Sequence, residues 1–373
     1  MLSLSPRRAP WWLVVLAQVA LAAAPLHAQA ALGFGDDATI PPAGTVRAGF
    51  QNIWTRFDQR FVSSTGASID TRSQIRRTPI ALELGLTNRL SLGVTVPSVG
   101  TRVTATYFAD TAPAFHADSQ AAYAMSGIGD ATASLKLVWL RTFPDSERYR
   151  PRGVRLRSAI TVTAQAATGL LPHTYTPFGI GTGTRANAIE VGSQWDLMIG
   201  PSFWVSAAGR YRRYQSDTRV VRVAPPGDPF STDVGPVEVS RHLAPMYQLE
   251  VTPRVALGEY FAIGVQYQYR HNGRATYAGT NDIPITADST LHLDASVLEP
   301  GSDLTEQRVG FGVVYSSVSA HAVGRGNYPF EITFQHFRTV QISGGRVKPS
   351  EYLVSARFYV RLWGGKPQPA AVR

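Results

Sequence analysis

Charged and amide side chains recur in this chain at even spacings. Arg155 and Arg157, Arg210 and Arg212, and Arg357 and Arg361 share this habit, while Glu83, Lys136, Glu190, Glu250, Gln266, Arg270 and Arg308 each interrupt apolar neighbours. On an extended chain that spacing puts them on the face opposite the apolar residues; Arg77, Asp196 and Glu331 fall on the same face. Charges along an enclosed, wetted space have two uses. They bias the passage of ions, here towards anions because arginines outnumber carboxylates, or they pair across the space and fill it. Both readings stand on the residues alone. Glu83, Lys136, Glu250 and Arg357 lie near the middle of their runs and are the expected constriction.

Nucleophilic chemistry finds little support. A barrel hydrolase of the phospholipase kind needs Ser two positions after His on one strand, so that the imidazole can take the hydroxyl proton. None of the eight histidines meets this. Ser240/His242 and Ser319/His321 have the reverse order and fall in expected connections. Asp217, Asp228, Asp233, His242, His271 and Asp282, the residue types a rim protease would use, are scattered over outer connections. Gly179–Gly183 lacks the glycine spacing and following helix of a phosphate loop, and the histidines lack metal-ligand spacing. No catalytic residue, metal or cofactor is expected. An outer-membrane hydrolase ranks third among the readings.

The elements that must carry these charges are strands. Ile80, Leu82, Leu84 and Leu86 alternate with Ala81, Glu83 and Gly85; Phe261, Ile263, Val265, Tyr267 and Tyr269 alternate with Ala262, Gly264, Gln266, Gln268 and Arg270. Such runs last about as long as the 9–11 residues a tilted strand needs to cross a bilayer. Twelve are expected, over 45–57, 76–87, 89–103, 127–141, 153–167, 187–198, 202–214, 244–254, 259–271, 306–317, 329–339 and 350–363, with the patterns at 244–254 and 329–339 the faintest, so that ten to fourteen strands stay open. Joins are short at 87–89, 199–201 and 255–258, intermediate at 142–152 and 318–328, and long at 58–75, 104–126, 168–186, 215–243 and 272–305. Long joins at every second connection are the asymmetry of outer-membrane barrels. Trp54, Trp139, Trp195, Phe203, Tyr211 and Phe358 sit near the ends of the apolar faces, where amphipathic rings favour a membrane interface. The fold class expected is all-β, a transmembrane antiparallel up-and-down barrel.

The ends of the chain fit export. Arg7 and Arg8 precede an apolar run from Trp11 to Ala24, and Ala28-Gln29-Ala30 offers small residues for cleavage. Residues 1–30 are expected to be a signal peptide, 31–44 a short periplasmic segment, 45–363 the barrel and 364–373 a tail. No later stretch is long and apolar enough for a spanning helix. Cysteine is absent, so stability rests on packing and backbone pairing rather than disulfides. The formal charge of +10 suits lipopolysaccharide phosphates or an anion-favouring pore better than nucleic acid, which an exported chain seldom meets. Residues 31–44 are too short for an N-terminal hatch, so any plug is expected from an infolded outer loop. The 168–186 loop, with Leu170, Leu171, Tyr175 and Phe178, is the candidate, a plain surface loop the alternative.

Three stretches carry a family resemblance. Leu86-Thr87-Asn88-Arg89-Leu90-Ser91-Leu92-Gly93-Val94 forms a tight turn between amphipathic strands. Gly127-Ile128-Gly129-Asp130 leads into Ala133-Ser134-Leu135-Lys136, and Ala167-Thr168-Gly169 precedes Gly179-Ile180-Gly181-Thr182-Gly183. Together they resemble the outer-membrane "transporter" family named after the MetA pathway of phenol degradation, over about residues 80–195. The resemblance implies uptake of small hydrophobic or aromatic compounds. With the charges, the expected function is an outer-membrane channel or transporter for small hydrophobic, aromatic or anionic molecules. Its partners are membrane lipid, lipopolysaccharide, the barrel-insertion machinery and the solute. A plugged barrel with a structural or surface-binding role is the alternative. The final strand, ending Arg357-Phe358-Tyr359-Val360-Arg361-Leu362-Trp363, has the aromatic alternation that insertion machinery reads.

Overall fold

The computed structural model describes residues 35–62, 68–108, 117–145, 153–171, 180–225, 234–286, 289–300, 302–322, 324, 328–344 and 348–363. The expected signal peptide, residues 31–34 and the C-terminal tail lie outside them. The strands are β1 (Thr45–Val62), β2 (Ser68–Gly85), β3 (Leu90–Phe108), β4 (Ala117–Ile128), β5 (Thr132–Arg141), β6 (Val154–Gln165), β7 (Ala188–Ile199), β8 (Phe203–Tyr214) and β9 (Asp217–Arg222). They continue with β10 (Pro236–His242), β11 (Met246–Leu257), β12 (Phe261–Asn272), β13 (Thr276–Ala278), β14 (Thr280–Thr286), β15 (Ser289–Asp294), β16 (Leu304–Ser316), β17 (Phe330–Ser343) and β18 (Ser350–Arg361). A five-residue helix, α1 (Val318–Ala322), joins β16 to β17.

Neighbours along the wall pair antiparallel, and β1 closes on β18 with Thr45 opposite Arg361 and Arg56 opposite Ser350. β4 and β5 are two pieces of one wall strand. Thr95 faces Thr132 and Ser98 faces Ile128, so two residues of β3 oppose three at a bulge over 129–131. The result is a closed barrel of twelve strands, and each expected segment, the faint ones included, coincides with one of them. Closure leaves no open edge at membrane depth.

The two faces are sorted as the alternation requires. Leu82 is 54% exposed, Leu135 46%, Phe311 57% and Phe358 52%, all outward, whereas their neighbours Glu83, Lys136, Gly310 and Arg357 turn inward. A band of exposed apolar side chains is tolerable only against lipid. Rings gather at both edges of this band. Near the short turns Tyr260, Phe261, Tyr315, Phe330 and Phe358 form a ladder with centroids 5.3–6.5 Å apart. Tyr211 and Tyr247 lie 5.0 Å apart at the other edge.

Above the band the wall differs from expectation. Most of 58–75 and 104–126, expected as loops, continues as strand, so β1, β2 and β3 run to 18, 18 and 19 residues. Beyond the lipid the outward face turns polar, which erases the alternation. Pairing persists because charges now meet across strands, Arg60 with Asp70 at 2.7 Å and Arg72 with Asp58 at 3.2 Å. Two other long connections fold on each other. β10 pairs with β9 and β13, the β14–β15 hairpin follows, and Val223, Val239, Leu293 and Ala295 make a small core of their own.

Candidate functional site

The lumen holds the beginning of the described chain. Gly44, at φ +72°, turns β1 at its short-turn end, and the preceding residues run up inside the barrel. The Gly44 N–H donates to the Gly85 carbonyl at 2.8 Å and the Ala43 N–H to Asn88 Oδ1 at 3.1 Å. Gly85 is required here: a Cβ on it would lie 2.2 Å from the Pro42 carbonyl oxygen. Ala38 and Ile40 are buried against Val138 and Ala159 of the wall. The expectation that 31–44 is too short for an N-terminal hatch, and that only an outer loop could fold inward, is not met: part of the segment lies inside the barrel. An extended chain gains about 3.3 Å per residue, and the seven residues from Asp36 to Pro42 suffice.

Two acids fix the segment in place. Asp36 Oδ2 accepts from Arg210 Nη2 at 2.7 Å and from Gln194 Nε2 at 3.2 Å, and its own N–H donates to Glu250 Oε1 at 2.6 Å. Lys136 Nζ bonds the Asp37 carbonyl and lies 3.9 Å from Asp36 Oδ1. Asp37 caps Thr39, with Arg254 Nη1 3.9 Å away. The Ala38 N–H donates to Asp196 Oδ2 at 3.1 Å; Asp196 in turn accepts from Arg157 at 2.6 Å and Ser206 at 2.6 Å. Arg47 spans from Glu83 to Thr39. Arg47, Lys136, Arg157, Arg210 and Arg254 have Glu83, Glu190, Asp196, Glu250 and Glu331 near them on the wall, and Asp36 and Asp37 supply two further negative charges from the segment. The surplus of arginine was visible in the sequence; the acids that answer it were not counted, because they precede the first strand.

Above the segment lies a cavity of about 610 Å³. Glu83, Lys136, Glu190, Arg210, Arg212, Glu250, Gln266, Arg308 and Arg357 line it, nine of the thirteen residues expected in the lumen. Among the lining residues only Ile53, Phe337 and Leu353 bring large apolar side chains. Much of the charge is paired: Arg212 with Glu190 at 2.7 Å, and Arg308 with Glu351 at 2.6 Å. Four expected residues sit elsewhere. Arg157 is buried below the cavity with Asp196, and Arg155 lies lower still at the start of β6. Arg270 bonds Asn272 at the outer end of β12. Arg361 is exposed at the short-turn rim, bonded to the Trp363 carbonyl. Strand parity carries no information on height, and all four lie away from the level of the cavity.

Below the segment the barrel has an apolar floor. Phe143 from the β5–β6 join and Val318 from α1 fold inward against Met198, Trp204 and Tyr359. Arg157 stands 5.9 Å from the Phe143 ring centre and Arg254 5.7 Å from that of Trp204, so the floor and the charged layer are one packed unit. Only the intermediate length of the 142–152 and 318–328 joins hinted at this.

The candidate plug loop is tied to the wall where it is described; Tyr175 and Phe178 lie outside the described residues. Asp130, in the bulge, accepts from the Gly169 N–H at 2.9 Å, the Thr184 N–H at 2.6 Å and the Thr184 hydroxyl at 2.8 Å. A Cβ on Gly169 or Gly183 would lie 2.7 Å from this carboxylate, so the glycines permit the approach. Leu170 is 41% exposed. Ser216 and His242 share a 2.8 Å hydrogen bond through Nδ1 on the outer surface. No carboxylate bonds His242 among the described residues. Asp217 is engaged by Arg241 at 2.8 Å, and Asp282 by His292 at 2.7 Å; Asp228 and Asp233 lie outside the described residues.

The crystal structure of an outer-membrane channel from Pseudomonas putida F1 superposes with a TM-score of 0.52 at 12% identity, covering 88% of this chain and 98% of that one. The two chains share the fold, a closed antiparallel β-barrel. The transport unit of the autotransporter AIDA-I from Escherichia coli gives a TM-score of 0.42 at 8% identity, over 87% and 93% of the two chains. The Ralstonia pickettii toluene transporter TbuX gives 0.37 at 9%, over 88% and 92%. No family model matches the chain, and no curated protein matches it in sequence. The resemblance to the MetA-pathway family accordingly rests on the three quoted stretches alone.

Proposed function

We propose that the protein is an outer-membrane channel for small polar anions, held shut by its own N-terminal segment. The observation that carries this reading is the seat of Asp36. Its carboxylate occupies a site built by Arg210, Lys136 and Gln194, as the carboxylate or phosphate of a solute would. A solute that competes for those cations weakens the hold on the segment, and withdrawal of the segment leaves the lumen with the positive excess that favours anions. The polar lining speaks against a hydrocarbon, for which the MetA-family resemblance would argue. Lys136, Arg210, Arg212, Arg308 and Arg357 are assigned to the pathway, with Glu83 and Glu250 among them on its wall.

Planar-bilayer conductance tests this. The full mature chain should show brief or no openings, whereas a chain lacking residues 31–41 should conduct steadily and prefer chloride over potassium. Asp36→Asn with Asp37→Asn should fall between them. Silence of the truncated barrel, or preference for cations, would overturn the channel reading. Silence would favour the second one, a filled barrel acting through its folded outer connections, for which the apolar floor and the β9–β10–β13 layer speak.

A further inference from the structure

On the outer surface, just above the apolar band, three arginines stand close together. We infer that Arg56, Arg76 and Arg102 form a binding site for the phosphorylated disaccharide headgroup of lipopolysaccharide in the outer leaflet. The inference rests on the outer-membrane reading of the barrel and not on whether its lumen conducts.

The register brings the three together. Arg56 of β1 faces Gln74 of β2, and Gln74 faces Arg102 of β3; Arg76 faces Trp54 and Gly100, one step nearer the membrane. Arg76 is thus the diagonal neighbour of both other arginines, about 7–8 Å away at the backbone. Arg56 and Arg102 are two strands apart, about 10 Å. All three point away from the lumen and are exposed. Long guanidinium side chains at these separations can converge on phosphate groups carried by one sugar pair, bonding each bidentately.

Charge is unbalanced here. Farther from the membrane, Asp70 and Asp58 neutralise Arg60 and Arg72. Among the described residues no carboxylate pairs with Arg56, Arg76 or Arg102; Arg76 donates only to Asn52, at 3.0 Å. Trp54 stands beside Arg76, and four residues farther down the same face are Ile80 and Val96; the three are 40%, 55% and 40% exposed, a surface for acyl chains. Two of the facing residues are small: Ala124 faces Arg102, and Gly100, around which the space is open, faces Arg76. A phosphorylated headgroup with chains attached matches both halves of this surface. The side is that of the long connections, which in barrels of this type faces outward.

The test uses the full mature chain reconstituted in vesicles of phosphatidylethanolamine doped with bisphosphorylated lipid A. It is compared with the triple variant R56A/R76A/R102A, whose insertion is checked by heat-modifiable gel mobility. Each arginine near an anionic headgroup is worth about fivefold, so the triple variant should bind lipid A roughly a hundredfold more weakly. Dephosphorylated lipid A should bind the native chain as weakly as lipid A binds the variant. Equal lipid A affinity of native and variant chains, or equal affinity for phosphatidylglycerol and lipid A, would overturn the inference. So would displacement of lipid A by millimolar inorganic phosphate, which would mark a bare phosphate site. Failure of the native chain to insert would sink the membrane reading with it; insertion without discrimination sinks the inference alone.

Discussion

Asp196 and Arg157 show what a buried pair does for this barrel. The carboxylate is wholly buried, receives the guanidinium at 2.6 Å and holds the Ala38 N–H at 3.1 Å. Removing one partner leaves an uncompensated charge, so Arg157→Ala should cost about 3–5 kcal/mol, and R157A with D196A less than the sum. Urea unfolding from lipid vesicles reads both; equal and additive losses would deny the pairing. Gly85→Val pushes a side chain into the Pro42 carbonyl and should cost about 1–3 kcal/mol or expel the segment. At this scale the sequence was legible in part. Alternation told which way Glu83, Arg210 or Arg357 points, because parity is local. It could not tell that Asp36 reaches Arg210, since 174 residues separate them and no periodicity marks Asp36.

At the level of elements, the Gly127–Asp130 stretch and the glycine-rich loop, two separate echoes in the sequence, turn out to be one joint. Asp130 binds Gly169, Thr184 and Arg185 main-chain N–H groups at once. Asp130→Ala should free the 166–187 connection while the barrel stays folded, and trypsin should then cut after Arg185 within minutes instead of hours. If cleavage there is unchanged while heat-modifiability persists, the joint is not what holds the loop. The twelve wall strands were readable because lipid on one side and charge on the other give period two over its full length. The extensions of β1 to β4 and the strands β9, β10 and β13–β15 were not, because water on both sides imposes no such contrast.

Taken as a whole, the molecule sorts its surface by solvent: lipid outside, charge within, an apolar floor beneath. Leu82→Arg or Phe311→Arg, placed in the middle of the outer band where the side chains are more than half exposed, should cost about 2–4 kcal/mol. In vesicles, slower insertion and a lower urea midpoint would register it, and a neutral outcome would deny that this band meets lipid. The tether of the internal segment has one more consequence. Gly44, from which the segment departs, also accepts the Leu362 N–H at 2.7 Å, so the hinge belongs to the seam where the first and last strands meet. The seat of the segment and the seam of the barrel therefore share one residue. A side chain at Gly44, whose Cβ would lie 2.3 Å from the Trp363 carbonyl oxygen, should unseat the segment and loosen the join of first and last strands together, so that protease access to the segment and the urea midpoint of the barrel shift side by side.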